Sequence, residues 1–572
     1  MLCKNTSVYD FFFKGVLYKL YIVNRNCIFY GIFIEGYICY NLNRKRNAVD
    51  LALSSNYREG ETYMKNSGAL TRIISILLVV LMLWSGFLVS CHKEGTAGTV
   101  TSEEKGSTSI DTDGISDDRI DIPDGLPSSY DTDGFEIKFL TREGMEEEIT
   151  LNDENSTDVI AEAVYNRQLN IEERFKCKIT KIVEPQNPSG FMEKIRTSVS
   201  GDDNEFHIAI GHIDYVAALA PEGYLSIWQN VPYVNLDKPW WNKSANNSLT
   251  VGGNSFFALG DINYTLITQT NCIYFNKKLV EDYQIDDPYQ TVLDGEWTLD
   301  CLSNLTKQYY SDINNNSERD IDDFYAYTVD VHSGLNSYQN ASECLMFKKN
   351  NEDIPEFYAN TKRMSNLVEK MYTILYENES TFAAYDYSYQ GEEETYYWWD
   401  VGNRKFINGT TIFVHGWLGN ATNVYRDFEG EYGIIPLPKY DEKQSTYHTM
   451  MDAAGPFMCI PRTIRDSEVE NVGLIIEGMA AYGYKYITPA VFDTALKIKY
   501  SSLEGSGQML DILIEGLTFD FGYVHSSDYH NILRKVLVQK SGNLSSYLAS
   551  SQKSLINYYQ RIIDAYLDYG LE

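Results

Sequence analysis

Phe135-Glu136-Ile137-Lys138-Phe139-Leu140 alternates apolar and polar residues as a half-buried strand does. From Asp158 to Phe175 the residues Val159, Ile160, Ala163, Val164, Leu169, Ile171 and Phe175 recur at roughly helical spacing. Lys176 to Ile182 reads as a second strand, Gly190 to Val199 as a second helix, and His207-Ile208-Ala209-Ile210-Gly211 as a short buried strand ending in Gly. Strand and helix thus take turns, which argues for an α/β body with largely parallel strands. Outward from this passage, Ser467 to Glu572 is mainly helical by pattern, and no internal repeat is present.

Composition narrows the function classes. The chain has 572 residues, 44% of them apolar, which suits a folded protein of two to four domains. With 48 Lys+Arg against 80 Asp+Glu the net charge is −32, which argues against binding nucleic-acid phosphates or an anionic bilayer through the body. Aromatic residues are plentiful, with 45 Tyr, 25 Phe and 8 Trp against 14 Pro. Such rings carry a flat apolar face and, in Tyr and Trp, a polar edge, suited to stacking on a partly polar ligand.

Residues 64–90 read as an export signal. After Met64, Lys65 and Arg72 are basic, Ile73 to Leu83 is apolar, and Leu88-Val89-Ser90-Cys91 has the form of a lipobox. Cleavage before Cys91 and acylation of its sulfur would hold the protein on the outer face of the cell membrane. The alternative is an uncleaved transmembrane helix over 73–90. Residues 91–134, rich in Gly, Ser, Thr and Asp, are expected to be a disordered tether. Because a signal normally opens its chain, translation is expected to start at Met64, leaving 1–63 as upstream or unstructured sequence; a membrane segment over Tyr9 to Tyr40 is the alternative. The remaining cysteines, Cys177, Cys272, Cys301, Cys344 and Cys459, form no CxxC and signal neither a disulfide scaffold nor a zinc site.

Catalytic motifs are absent: there is no GxSxG, HExxH, Walker loop or GxGxxG, and the eight His are scattered. The chain is therefore expected not to be an enzyme and to need no cofactor. Aromatic clusters are more telling, at Pro239-Trp240-Trp241-Asn242, Tyr396-Tyr397-Trp398-Trp399-Asp400 and His415-Gly416-Trp417. A sugar ring presents C–H groups on its faces and hydroxyls at its edge, so Trp or Tyr stacks while nearby Asp, Asn or His bonds the hydroxyls. One segment resembles a calcium loop, with Asp312, Asn314, Asn316, Asp320 and Asp323 at positions 1, 3, 5, 9 and 12. Ser317 stands where a Gly is usual, and Asp323 replaces the longer Glu. The alternative is a solvated Asn/Asp turn.

An ordered series of motifs spanning roughly residues 135–572 resembles the extracellular solute-binding proteins of the carbohydrate-uptake type, lipid-anchored receptors of ABC importers. The series comprises Val164 to Phe175, Leu236-Asp237-Lys238-Pro239-Trp240-Trp241, Ala258-Leu259-Gly260-Asp261-Ile262, and Ile273 to Leu279. It continues with Asp294-Gly295-Glu296-Trp297-Thr298, Phe406-Ile407-Asn408-Gly409 leading to Gly416-Trp417, and Tyr432 to Tyr440. The resemblance implies a two-lobed, periplasmic-binding-protein-like α/β fold whose hinge the chain crosses more than once. Lobe 1 would hold 135–268 and 449–492, and lobe 2 would hold 271–445 and 493–572. It further implies that Trp240, Trp241 and Asp261 face the cleft from lobe 1, that Trp417 and Trp398 or Trp399 face it from lobe 2, and that Asp452 bonds sugar hydroxyls. The implied partners are a carbohydrate ligand and membrane permease subunits, with the receptor monomeric. Two other classes stay open: a secreted glycoside hydrolase or lyase, needing two carboxylates across a cleft, and a surface adhesin that binds polymer on an open face.

Overall fold

The computed structural model describes residues 118–151, 158–385, 389–390, 395–397, 399–497, 506–526 and 530–569, together with Val8–Phe13 and Val16–Ile22. The 64–90 signal, Cys91, the tether up to residue 117 and Trp398 lie outside the described residues. The chain divides into Met1–Ser109 and Ile110–Glu572. In the first unit Val8–Phe13 and Val16–Ile22 pair as an antiparallel hairpin. No helix among the described residues is long and apolar enough to cross a membrane.

Two five-stranded sheets organise the second unit. The first contains β1 (Glu136–Arg142), β2 (Lys178–Glu184), β3 (Ile208–His212) and β4 (Leu225–Ser226). The second contains β5 (Asn271–Asn276), β6 (Tyr325–Asp330), β7 (Thr381–Ala384), β8 (Thr411–Trp417) and β9 (Tyr432–Ile435). The chain then returns to the first sheet with β10 (Pro456–Pro461). Strand order is β2-β1-β3-β10-β4 in one sheet and β7-β6-β8-β5-β9 in the other. The fold is α/β, but the expectation of largely parallel strands is corrected to mixed sheets. β1 runs parallel to β2 and β3, and β6 parallel to β7 and β8, whereas β10 is antiparallel to its neighbours and so is β5. The antiparallel strands are those the chain enters on passing from one sheet to the other, so they arrive from the opposite end.

Local chemistry accounts for the helices that cover the sheets. In α1 (Val159–Phe175) the Asp158 carboxylate accepts from the backbone N–H of Ile160 and Ala161, and Lys176 closes the helix in the left-handed conformation. Its buried stripe is Val164, Arg167, Ile171 and Phe175, while Val159 and Leu169 are exposed. Arg167 replaces an apolar residue in the stripe because its guanidinium donates to carbonyls of Glu148 and Ile262. α2 (Pro188–Gly201) starts on the Asn187 side chain with Pro at its first position. α3 (Gly334–Ala341) follows β6 and α4 (Val401–Ile407) precedes β8. α5 (Asp466–Tyr482) packs with α1 against the first sheet, in a core of Ile137, Phe139, Ile208, Ile210, Met458 and Leu474. α6 (Thr488–Lys497) contacts α1, and α7 (Ser506–Glu515) contacts β9. The long α8 (Leu544–Leu567) ends against the first sheet's side, where Tyr566 meets Phe256 with ring centroids 4.6 Å apart.

The passages between sheets are laced together. Thr270 bridges Met451, Asn271 N–H donates to the Met450 carbonyl, and Thr449 bridges Leu517. Thr449 Oγ1 also donates to the Asn271 carbonyl at 2.7 Å. Three chain segments therefore form a narrow joint between the two halves.

The expected tether is corrected over 118–134, which is packed onto the body. Arg174 grips Asp124 with two contacts of 2.5 and 3.1 Å and donates to the carbonyls of Leu126 and Pro127. Ile122, Leu126 and Tyr130 pack on the core of the first sheet. Few large apolar residues in sequence hid this strap, which is also held by the N–H groups of Tyr130, Thr132 and Gly134 donating to the carbonyls of Arg174, Phe175 and Lys176.

Candidate functional site

Four strands of the two sheets end in polar or aromatic residues. β1 ends in Arg142, β3 in His212, β6 in Asp330 and β8 in Trp417. These are carboxyl ends, where open α/β sheets place their ligands. Asp452 lies on the return passage just after the joint; its N–H donates to the Gln269 carbonyl and its Oδ1 accepts from Ala454 N–H at 3.0 Å.

The contacts tie these residues into one group. His415 Nε2 meets Asn271 Oδ1 at 2.9 Å, and its Nδ1 lies 3.4 Å from Asp330 Oδ2. Asp330 also accepts from the N–H of His332 and Ser333 at 2.9 and 2.7 Å, which positions the start of α3. The His332 and His530 rings meet edge-on at 4.8 Å, and the His212 ring lies 4.4 Å from that of Tyr215. Arg142 Nη2 donates to the Ala454 carbonyl at 2.9 Å. Trp417 is half-buried, and its Nε1 is buried with no hydrogen-bond partner among the described residues. Gly416 beside it sits in a crowded place: a Cβ there would stand 2.8 Å from Asn420 Nδ2 and 3.3 Å from the Tyr274 ring.

The two carboxylates are driven apart electrostatically. Burial pushes Asp330 up, but the His415 hydrogen bond and charge, with the Ser333 N–H, outweigh it and hold the carboxyl below its usual range. Burial also pushes Asp452 up, and although the Ala454 N–H opposes this, the Asp330 charge adds to it and the group stays raised. His332 and His212 partly offset both that burial and that charge.

Of the expected cleft residues, Trp417 and Asp452 are in this group. Trp240 and Trp241 are corrected: they are 0% and 1% exposed, inside the core of the first sheet. Their Nε1 atoms donate to Glu477 Oε1 and Oε2, each at 2.9 Å, so neither face is free for a ligand. Asp261 is also moved. Its carboxylate accepts from Thr488 Oγ1 at 2.6 Å and lines a cavity of about 110 Å³ with Arg119, Tyr484 and Asp511. That volume is below the roughly 300–1,000 Å³ of small-molecule sites. Trp399 is 52% exposed and stacks on Tyr397 at 4.8 Å and 11°, in a separate surface pair.

The sequence reading singled out His415 within its cluster with Trp417 but missed Arg142, His212, Asp330, His332 and His530. The available signal was the polar residue directly after a buried run, as in Ala209-Ile210-Gly211-His212 and Thr328-Val329-Asp330.

No family model matches the chain, and no curated protein does. Solved structures give likenesses. An ABC transporter solute-binding protein from Thermotoga lettingae, bound with α-D-tagatose, aligns at 13% identity and TM-score 0.46, covering 75% of this chain and 100% of its own. An ABC substrate-binding protein from Listeria monocytogenes in complex with cycloalternan aligns at 12% identity and TM-score 0.45, covering 75% and 99%. A cyclic α-maltosyl-1,6-maltose binding protein from Arthrobacter globiformis aligns at 13% identity and TM-score 0.45, covering 76% and 99%.

Proposed function

We propose that the chain is a receptor that holds a carbohydrate between its two sheets and releases it intact to the permease of an ABC importer. The observation that carries this reading is Trp417. Its ring lies at a strand end, with a buried N–H that has no partner among the described residues, 6.4 Å from the ring of His415, which in turn contacts Asp330. Stacking on the ring satisfies the C–H face of a sugar, and Asp330, Asp452, His212 and His332 supply acceptors and donors for its hydroxyls. A ligand touching both halves favours the arrangement in which they approach, with the joint at 270–271, 449–451 and 517 absorbing the change. In this proposal the Cys91 lipid holds the receptor outside the cell. Cys91→Ser then abolishes labelling by a fatty-acid precursor; retained labelling removes the anchor.

A second reading, a hydrolase, is favoured by the carboxylate pair, because Asp330 is held low while Asp452, close enough to feel its charge, is raised, the pattern of a general acid with an ionised partner. A thermal-shift screen against mono- and oligosaccharides, with product analysis of each stabilising compound, separates the two. The receptor returns its ligand unchanged; a hydrolase returns fragments.

A further inference from the structure

The segment 312–323 lies outside the proposed ligand site. A bridge between Ser311 and Phe324, with both backbone hydrogen bonds made, closes it as a loop and sets Asp312 and Asp323 beside its neck. Asp323 is 0% exposed. Its Oδ2 accepts from Tyr310 OH at 2.8 Å and Asp320 N–H at 3.2 Å, yet its Oδ1 is buried without a partner among the described residues. Asp312 repeats the pattern: Oδ2 accepts from Ser317 N–H at 2.9 Å, while Oδ1 is buried without a partner among the described residues. Two buried anionic oxygens lacking donors are costly at one loop neck unless a cation serves them.

Lys405 does not bond these oxygens. Lys405 Nζ donates to the backbone carbonyls of Ile321 and Asp323 at 2.7 and 2.6 Å, leaving the carboxylate oxygens unserved. Within the loop Asn314 and Asn316 direct Nδ2 at Asp320, and their Oδ1 atoms accept from backbone N–H groups of Asn316 and Glu318. Among the described residues no three His, Cys, Asp or Glu side chains stand together as a finished metal cage. The oxygen donors here are of mixed kind, three carboxylates and two amides, and turning the two amides would present oxygen in place of N–H. Ser317 adopts the left-handed turn with φ of 63°, so the missing glycine does not prevent the loop from closing.

We infer that residues 312–323 bind a calcium ion, with Asp312, Asn314, Asn316, Asp320 and Asp323 as side-chain ligands. The choice of calcium follows from an all-oxygen donor set of this size and flexibility. The ion would brace the second sheet. Ile321 packs with Ala384 and Val401, and Arg319 donates to the carbonyls of Glu379 and Thr381, so the loop holds β7 and the start of α4.

The loop carries its own spectroscopic reporter, because Tyr310 and Tyr325 donate to Asp323 and to the Asp320 carbonyl. The full chain, stripped with EGTA, is titrated with terbium under tyrosine excitation and then with calcium, and its melting temperature is read in parallel. Terbium emission should appear, calcium should displace it with a midpoint of about 0.1–1 mM, the range of extracellular modules, and calcium should raise the melting temperature. Asp312→Asn and Asp320→Asn should each weaken both responses at least about 10-fold while melting in EGTA as the parent chain does. Absence of emission and of any calcium-induced shift overturns the inference, and so does a response that survives both substitutions. Sugar binding is not an element of the test, so its outcome is independent of the transport reading.

Discussion

Glu477 receives the indole N–H of Trp240 on one oxygen and that of Trp241 on the other, both at 2.9 Å and all three side chains buried. Glu477→Gln would keep one acceptor and turn an N–H₂ toward the second indole. The expected cost is about 2–4 kcal/mol of stability, read as a lower denaturant midpoint with sugar affinity of the folded protein unchanged. Loss of affinity at unchanged stability would return these tryptophans to the ligand site. Asp261 allows a pH test. Burial pushes its carboxyl up to about 7, against hydrogen bonding by Thr488 and the charge of Arg119. The folded state therefore binds this proton more tightly than the unfolded chain, whose group titrates near 3.8. Its contribution is complete below pH ~4 and is lost as pH rises to about 7. Asp261→Asn should flatten the decline in stability between those limits; an unchanged slope excludes Asp261 as its source. The role of Trp240 and Trp241 was not legible in the sequence, because their acceptor lies 237 and 236 residues away.

Elements were read more easily than their faces. The strand from 136 and the helix from 159 follow from alternation, helical spacing and the Asp158 cap, all local properties. Which side of α1 is buried depends on Arg167 reaching the carbonyls of Glu148 and Ile262, a tertiary fact that hydropathy cannot carry. The strap at 118–134 has a linker-like composition, and its attachment through Arg174, the backbone of 174–176 and the packing of Ile122, Leu126 and Tyr130 is likewise tertiary. Arg174→Ala removes the bidentate partner of Asp124 and the donors to Leu126 and Pro127, and should cost about 1–3 kcal/mol. Protease sensitivity near residue 124 should rise in parallel. If both stay as in the parent chain, the Arg174 side chain contributes nothing to holding the strap.

For the molecule as a whole, the two mixed sheets and their laced passages explain how residues as distant in sequence as Arg142 and His530 serve one region. Each sits at or just beyond an element end, and the topology brings those ends together. The repeated passage between halves was legible through the motif series, whereas the convergence of His212, His332, His415 and His530 was not, because it depends on register between strands far apart in the chain. The account centres on Trp417 as the ring that meets the ligand. The direct measurement is a calorimetric titration of a sugar found by the thermal-shift screen into the parent chain and into Trp417→Ala. The account predicts affinity about 10-fold weaker in the variant, equivalent to roughly 1–2 kcal/mol for a lost stacking ring, with the melting temperature kept and the sugar recovered whole. Equal affinity in the two proteins would contradict it.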